Sequence, residues 1–345
     1  MMFIVRLLPS RRRASSLCGA LLFALCFAAG SSAAATQFFP LEKVHPGLRG
    51  IGRTVFQGSR VEQFQVQILG VLENVSPKQT IILARLSGGP LAETGVLEGM
   101  SGSPVYIDGK LLGAVALGFP FSKEPIAGIR PIQAMISGAR FTPPALARPS
   151  SPWRFTPTSA HFPLSLRPAM SILPVPSSDL TEILTPLALS GFTPGSLHTF
   201  ASRFERLGFS LQKGVSGANP TSQRDSGPLV PGSMISVELL SGDMNISAQG
   251  TVTYIDGKRI YAFGHQFLNE GSTDLPFTRA SVVALLPSLN SSFKIAIPGK
   301  WAGTIVSDRS TAIAGELGLH GHTVPVTIAI HSSASGSHQY HMQSV

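Results

Sequence analysis

The chain has only two cysteines, Cys18 and Cys26, and both fall within its first thirty residues. A chain that loses that segment keeps neither a disulfide nor a thiol, so cysteine nucleophiles and cysteine-ligated zinc are excluded. Charge is also scarce, at 13% of residues, with 27 basic against 18 acidic side chains and a formal net charge of +9. Four of the basic residues, Arg6, Arg11, Arg12 and Arg13, lie at the amino terminus. The remaining Lys and Arg are scattered singly, without a stripe or aromatic neighbours, so a nucleic-acid surface has no support. A phosphate-binding Gly-Lys loop and a dinucleotide fingerprint are both missing. The nine histidines include the pairs His320/His322 and His338/His341, but no cysteine or carboxylate cluster joins them, and His45 before Pro46 reads as a loop residue. No metal and no cofactor are expected.

Long apolar runs are limited to one. Leu17 to Ala29 carries no charge, follows the arginines and precedes Ala33, Ala34 and Ala35, which is the layout of a cleavable secretory signal. An uncleaved anchor is the rival, but a spanning helix wants ~20 apolar residues, and Gly30, Ser31 and Ser32 interrupt this run. Cleavage near Ala35 and an exported protein, periplasmic or secreted, are expected, with membrane contact only during export.

What remains is rich in short apolar segments. From Arg53 to Ile132 the runs VEQFQVQILGVL, TIILARL, PVYI and KLLGAVAL are separated by Gly, Pro or Asp-Gly, the spacing of a β-barrel or sandwich. Residues 142–176 hold nine of the 27 prolines and read as an extended linker. Two helices are expected beyond it. One starts after Ser177 or Ser178; the other follows Pro194, with Leu197, Phe200, Ala201, Phe204 and Leu207 on one face and Gly208 as the stop. A Gly- and Ser-rich loop, 214–227, precedes a return of strand patterns: MISVELL, GTVTYI, KRIYAFG, SVVALLP, FKIAIP and TVPVTIAI. YIDGK occurs twice, at Tyr106–Lys110 and Tyr254–Lys258, each between apolar runs, and predicts two tight hairpins.

The first hairpin follows GMSGSP and the second leads into FGHQF. A serine hydroxyl becomes a nucleophile only when a base takes its proton and amide donors stabilise the oxyanion. Gly99 and Gly102 bracket Met100 and Ser101 in a turn where backbone N–H groups can converge, so the Gly99 and Ser101 amides are the candidate oxyanion hole and Ser101 the candidate nucleophile. A bare glycine-rich turn is the bland alternative. His265, where a strand ends in Gly-His, is the candidate base; a structural histidine at a strand end is its alternative.

The segment LAETGVLEGMSGSPVYIDGKLLGAVALG, with the Ile-Ala-Gly-Ile strand and PIQAMI helix after it, resembles the nucleophile half of chymotrypsin-like serine peptidases and, more closely, the SpoIVB-type peptidases known from bacterial sporulation. GRTVFQGSRVEQFQVQILGV resembles that family's strands, and GTVTYIDGKRIYAFGHQFLNEG its catalytic-histidine segment. The resemblance spans about Val44 to Met135 and Ser233 to Ile297. It implies that Ser101, not Ser103, is the nucleophile. It also implies a departure: the family's histidine precedes its serine, whereas here Ser101 comes first, so the two barrels are joined in exchanged order, which a geometry-defined site permits. Ser87 falls where the family has its Asp, and carries no charge to stabilise an imidazolium. Asp274, Glu270 and the more distant Asp308 are the alternative third members, each more ordinary as a turn or surface residue.

The expected fold is mainly β, two chymotrypsin-like barrel halves with a Pro-rich linker and a small helical insert. Its parts are a signal (1–35), the serine half (36–141), the linker (142–176), helical insert and loop (177–229) and the histidine half (230–345). The expected function is serine endopeptidase action on protein or peptide substrates, including self-processing; the alternative is an inactive peptidase-like module that binds protein or cell-envelope partners. No PDZ domain is found. The last residues, YHMQSV, read as a strand in progress, which is expected of a chain whose longer relatives continue.

Overall fold

In the computed structural model the described residues are 36–77, 79–139, 180–214, 227–332 and 336–345. The signal and the proline-rich linker lie outside them, as does most of the Gly- and Ser-rich loop. The first barrel is built from β1 (Arg49–Gln57), β2 (Arg60–Ser76), β3 (Gln79–Ser87), β4 (Pro104–Ile107), β5 (Lys110–Gly118) and β6 (Ile126–Pro131). Hydrogen bonding runs β4-β1-β2-β3-β6-β5, and β5 pairs back with β4, so six antiparallel strands close on themselves. Alternation in β2 drives this: Phe64, Val66 and Ile68 point inward and meet Ile82, Ala84 and Leu86 of β3.

A two-residue strand, β7 (Thr181–Glu182), extends this sheet beside β5, and β8 (Thr185–Ser190) opens the second sheet. The helix expected after Ser177 or Ser178 is therefore corrected to strand. Its LALS segment is buried at every position, and Leu187 and Leu189 pair across to β11 (Asn245–Asp256), so tertiary pairing overrides local helix propensity. The second helix forms as expected. Helix α1 (Pro194–Glu205) has Thr193 as N-cap, Pro at its first position and Gly208 in the left-handed region beyond its end. Only Leu197 and Phe204 of the predicted face pack on the core; Phe200 and Leu207 are exposed. β9 (Phe209–Lys213) then returns parallel to β8.

The remaining strands are β10 (Met234–Gly242), β12 (Arg259–Ala262), β13 (Gly271–Leu286), β14 (Phe293–Arg309), β15 (Ala312–Leu317), β16 (Val324–Ser332) and β17 (Gly336–Ser344). Among them β10-β13-β14-β15-β12-β11 pair in sequence and β11 pairs back with β10, giving a second closed ring of six. Ile235, Val237, Val252, Ile260, Phe277, Ile305 and Ile313 fill it. Residues Gln37–Val345 form one compact unit.

The repeated YIDGK makes two different turns. In the first, Ile107 pairs with Lys110 and the loop is Asp108-Gly109, both at positive φ. In the second, Asp256 itself pairs with Arg259, so the loop is Gly257-Lys258 and only Gly257 has positive φ. A register shift between Val252 and Tyr254 moves the pairing by one residue.

The barrels meet through apolar contacts and backbone. Tyr106, Leu111, Ala114 and Met135 pack with Tyr261, Ala312 and Ala314, and Val55 packs with Met234, Ala280, Val282 and Ala296. Gly102 is the closest approach. A Cβ there would lie 2.0 Å from Thr251 O and 2.5 Å from Phe263 N, at φ +92°. Gly102→Ala is accordingly expected to destabilise the protein by about 3 kcal/mol or more, read as a lower urea midpoint at unchanged slope; a midpoint equal to wild type would show that the barrels do not need this contact.

Candidate active site

The Ser101 loop is fixed from both sides. Met100 is wholly buried in the first barrel's core, which anchors the turn. Gly102 N–H donates to Val115 O of β5 at 2.7 Å, and Ser103 N–H to Met100 O at 2.9 Å. From the other barrel, β11 buttons the loop down: Thr251 N–H donates to Ser101 O at 2.9 Å, Thr251 Oγ1 to Gly99 O at 2.9 Å, and Thr253 Oγ1 to Gly102 O at 2.7 Å. Gly99 and Gly102 both have positive φ, which turns successive amides so that neighbouring N–H groups converge. The N–H groups of Gly99 and Ser101 pair with no acceptor among the described residues. Buried N–H groups in that state are uncommon and cost free energy, so two unsatisfied amides within one turn suit a ligand oxygen.

His265 arrives on an unusual backbone. Phe263 and Gly264, directly after β12, have φ of +68° and +73°. Such a conformation in a phenylalanine costs energy that surrounding structure must offset. Gly250 leaves room for the Phe263 ring: a Cβ there would be 2.4 Å from it. Gly264 sits against Ala114 and Ala116 of β5, and Arg130, buried in β6, donates from Nε to Gly264 O at 2.6 Å and from Nη1 to Gln79 Oε1 at 2.9 Å. Beyond the histidine, Asp308 of β14 accepts the N–H groups of Phe267, Leu268 and Asn269 at 2.8, 2.5 and 2.8 Å. Burial raises the Asp308 carboxyl above its ordinary pKa, and these backbone donors oppose that rise.

The two segments are packed together. Gly102 abuts Phe263, and the Val115 carbonyl that accepts Gly102 N–H lies 3.4 Å from where a Gly264 Cβ would be. His265 is almost wholly buried; its Nδ1 lies 2.6 Å from Gln266 O. A carbonyl only accepts, so Nδ1 carries the proton and Nε2 presents its lone pair. Among the described residues Nε2 has no partner, and neither has the hydroxyl of Ser101, which is fully buried, so no hydrogen bond joins the two. The Ser103 hydroxyl is likewise unpartnered.

The other candidates sit elsewhere in the bonding network. Ser87 is exposed at the end of β3, opposite Gln65. Asp274 on β13 accepts from the His322 backbone and faces His322 Nδ1 at 2.6 Å. Glu270 is exposed. Among the described residues no carboxylate bonds the His265 ring, and no cluster of three or more His, Cys, Asp or Glu residues could hold a metal.

Two buried ions beside the loop had no sequence signal beyond polar letters in apolar strands. Lys294 of β14 is wholly buried, with its side chain against Gly99 and its Nζ donating to Thr54 Oγ1 of β1 at 2.7 Å. Burial pushes its ammonium down to about 7. Glu98 accepts from Ser291 Oγ at 2.6 Å and, more loosely, from Gln212 Nε2, and burial raises its carboxyl.

Residues 33–130 match the protein family described as SpoIVB peptidase S55, a family of serine peptidases. The matched stretch contains Ser87, Gly99 and Ser101 and stops before His265. No curated protein and no solved structure matches the chain.

Between about pH 7 and 10 the unfolded chain holds a proton on Lys294 that the folded chain has released, because an unstrained lysine titrates at ~10.4. This residue's contribution therefore makes stability rise with pH in that window, by on the order of 1 kcal/mol per pH unit, and its penalty is complete below it. Lys294→Met is expected to raise the urea midpoint at pH 7 and to flatten the slope from pH 7 to 9; parallel profiles for variant and parent would show that the amine stays charged. Asp308→Ala orphans three amides beside His265 and is expected to cost about 2–4 kcal/mol, measured in the same unfolding assay, where an unchanged midpoint would show that the loop is held by other contacts.

Proposed function

We propose that the protein is a serine endopeptidase, exported and acting on peptide bonds in the cell envelope, its own chain included. The reading rests on one observation above the others: Ser101 and His265 lie on segments packed against each other, with the serine hydroxyl and the imidazole Nε2 both buried and both unpartnered. Ser101 Oγ bonds to the scissile carbonyl carbon as its proton passes to His265 Nε2, and the carbonyl π electrons move onto oxygen. That oxyanion is received by the unpaired N–H groups of Gly99 and Ser101. Collapse breaks the C–N bond, with the proton returned from His265 to the leaving amine. Water, deprotonated by the same ring, then releases the acyl group. The Gln266 carbonyl takes the orienting place that a carboxylate has in a triad, holding Nδ1–H without supplying negative charge. A carbonyl stabilises imidazolium less than a carboxylate does, so slow turnover follows.

A second reading has its own observation. The Ser101 hydroxyl is fully buried, so substrate reaches it only after local opening; an inactive module that binds envelope partners would never need to open.

Incubation with a fluorophosphonate probe separates the two. The folded protein is expected to be labelled at Ser101, slowly, and Ser101→Ala and His265→Ala are expected to abolish labelling and to lower kcat/KM on a peptide substrate by on the order of a thousandfold. Absence of labelling after prolonged incubation would favour the binding module, and a Ser101→Ala variant as active as the parent would remove the nucleophile assignment.

A further inference from the structure

A cavity of about 370 Å³ opens at the seam between the barrels, walled by Val61 at the start of β2 and by Leu229, Val230, Ser233, Met234 and Arg279 from the second barrel's side. Its inner wall leads to the candidate site. Met234 is the register partner of Thr251, the residue that bonds both Gly99 O and Ser101 O, and the Met234 methyl stands 3.3 Å from where a Cβ on Gly99 would be. Met234 thus stands between this cavity and Gly99.

The lining specifies what fits. Its exposed lining is polar and apolar in similar measure, with Val61, Leu229, Val230 and Met234 suited to methylene groups, and among the described residues Arg279 is the only charged one in it. Among the described residues no carboxylate pairs with Arg279. A planar guanidinium matches a carboxylate in two parallel hydrogen bonds. A neutral occupant leaves that charge unanswered and a basic one is repelled.

We propose that this seam cavity is a substrate pocket selective for an acidic side chain, glutamate above all, with Arg279 as the residue that sets the preference. The proposal rests on the peptidase reading for its place in a reaction, but the selectivity itself is a matter of binding. It is tested with a positional octapeptide library in which one site at a time carries Glu, Gln, Leu or Lys. Binding is measured by fluorescence anisotropy on Ser101→Ala protein, and cleavage on the parent.

Glu is expected to be preferred over Gln and Lys by about tenfold or more at one position, equivalent to ~1.4 kcal/mol. Arg279→Gln is expected to level the series and Arg279→Glu to turn the preference towards Lys, with circular dichroism establishing that both variants are folded; should Arg279→Glu fail to fold, levelling by Arg279→Gln decides. Equal affinities across the series, or a Glu preference that survives both substitutions, would overturn the pocket. Fluorophosphonate labelling of Ser101 without any Glu preference would reject the pocket and leave the peptidase reading standing, whereas Glu-selective binding without labelling would do the reverse.

Discussion

The close seating of the glycine turn at 99–102 on β11 is the contact on which the site depends. Without a side chain at Gly102, Thr251 can bring its N–H and hydroxyl to two carbonyls of the turn while its own carbonyl accepts from Phe263. One strand thereby holds the serine loop and the strained residues before His265 in a single hydrogen-bonded unit. The apolar clusters at the interface supply attraction without direction. Direction comes from these backbone bonds, because a hydrogen bond weakens steeply with misalignment. Alanine in place of Gly102 would press on the Thr251 carbonyl and the Phe263 amide at once, so the bonds to the serine loop and to the histidine segment would be disturbed together.

Periodicity made most of this architecture legible. The alternation in VEQFQVQILGVL, the apolar KLLGAVAL and the two YIDGK segments appear as strands and hairpins, because a half-buried strand must alternate and a tight hairpin needs positive φ. Illegibility began where long-range pairing decides. LTPLALS carries leucines and alanine that favour helix locally, yet β11 and β9 flank it and make it a central strand. The second YIDGK shows the same limit on a smaller scale: identical letters close a loop of Asp108-Gly109 in one hairpin and of Gly257-Lys258 in the other.

The candidate site was legible in its letters and not in its supports. GMSGSP and FGH can be read as candidate nucleophile and base motifs, but Ser87 and the carboxylates at 270, 274 and 308 were weighed as partners of the imidazole, whereas the group its Nδ1 bonds is the Gln266 carbonyl. Main-chain groups leave no trace in composition. Asp308 is a related lesson, since it acts on the backbone around the histidine and not on its ring. Lys294, Arg130 and Glu98 were invisible for a further reason. A charge in the interior is tolerated only through specific partners far along the chain, here 240 residues away for Lys294 and 134 for Arg130. Lys294 and Glu98 stand beside the serine loop and Arg130 holds the segment before His265, each having given up solvation on folding.

The order of the two barrels also sets a schedule. Ser101 lies in the earlier one, and everything that fastens its turn from across the seam, from Thr251 to Phe263 and Lys294, is made later. At a synthesis rate of about 5–20 residues per second, the glycine turn waits roughly ten to forty seconds for its fastenings. During that interval it is an ordinary loop without the bonds from β11 that hold it in the folded protein.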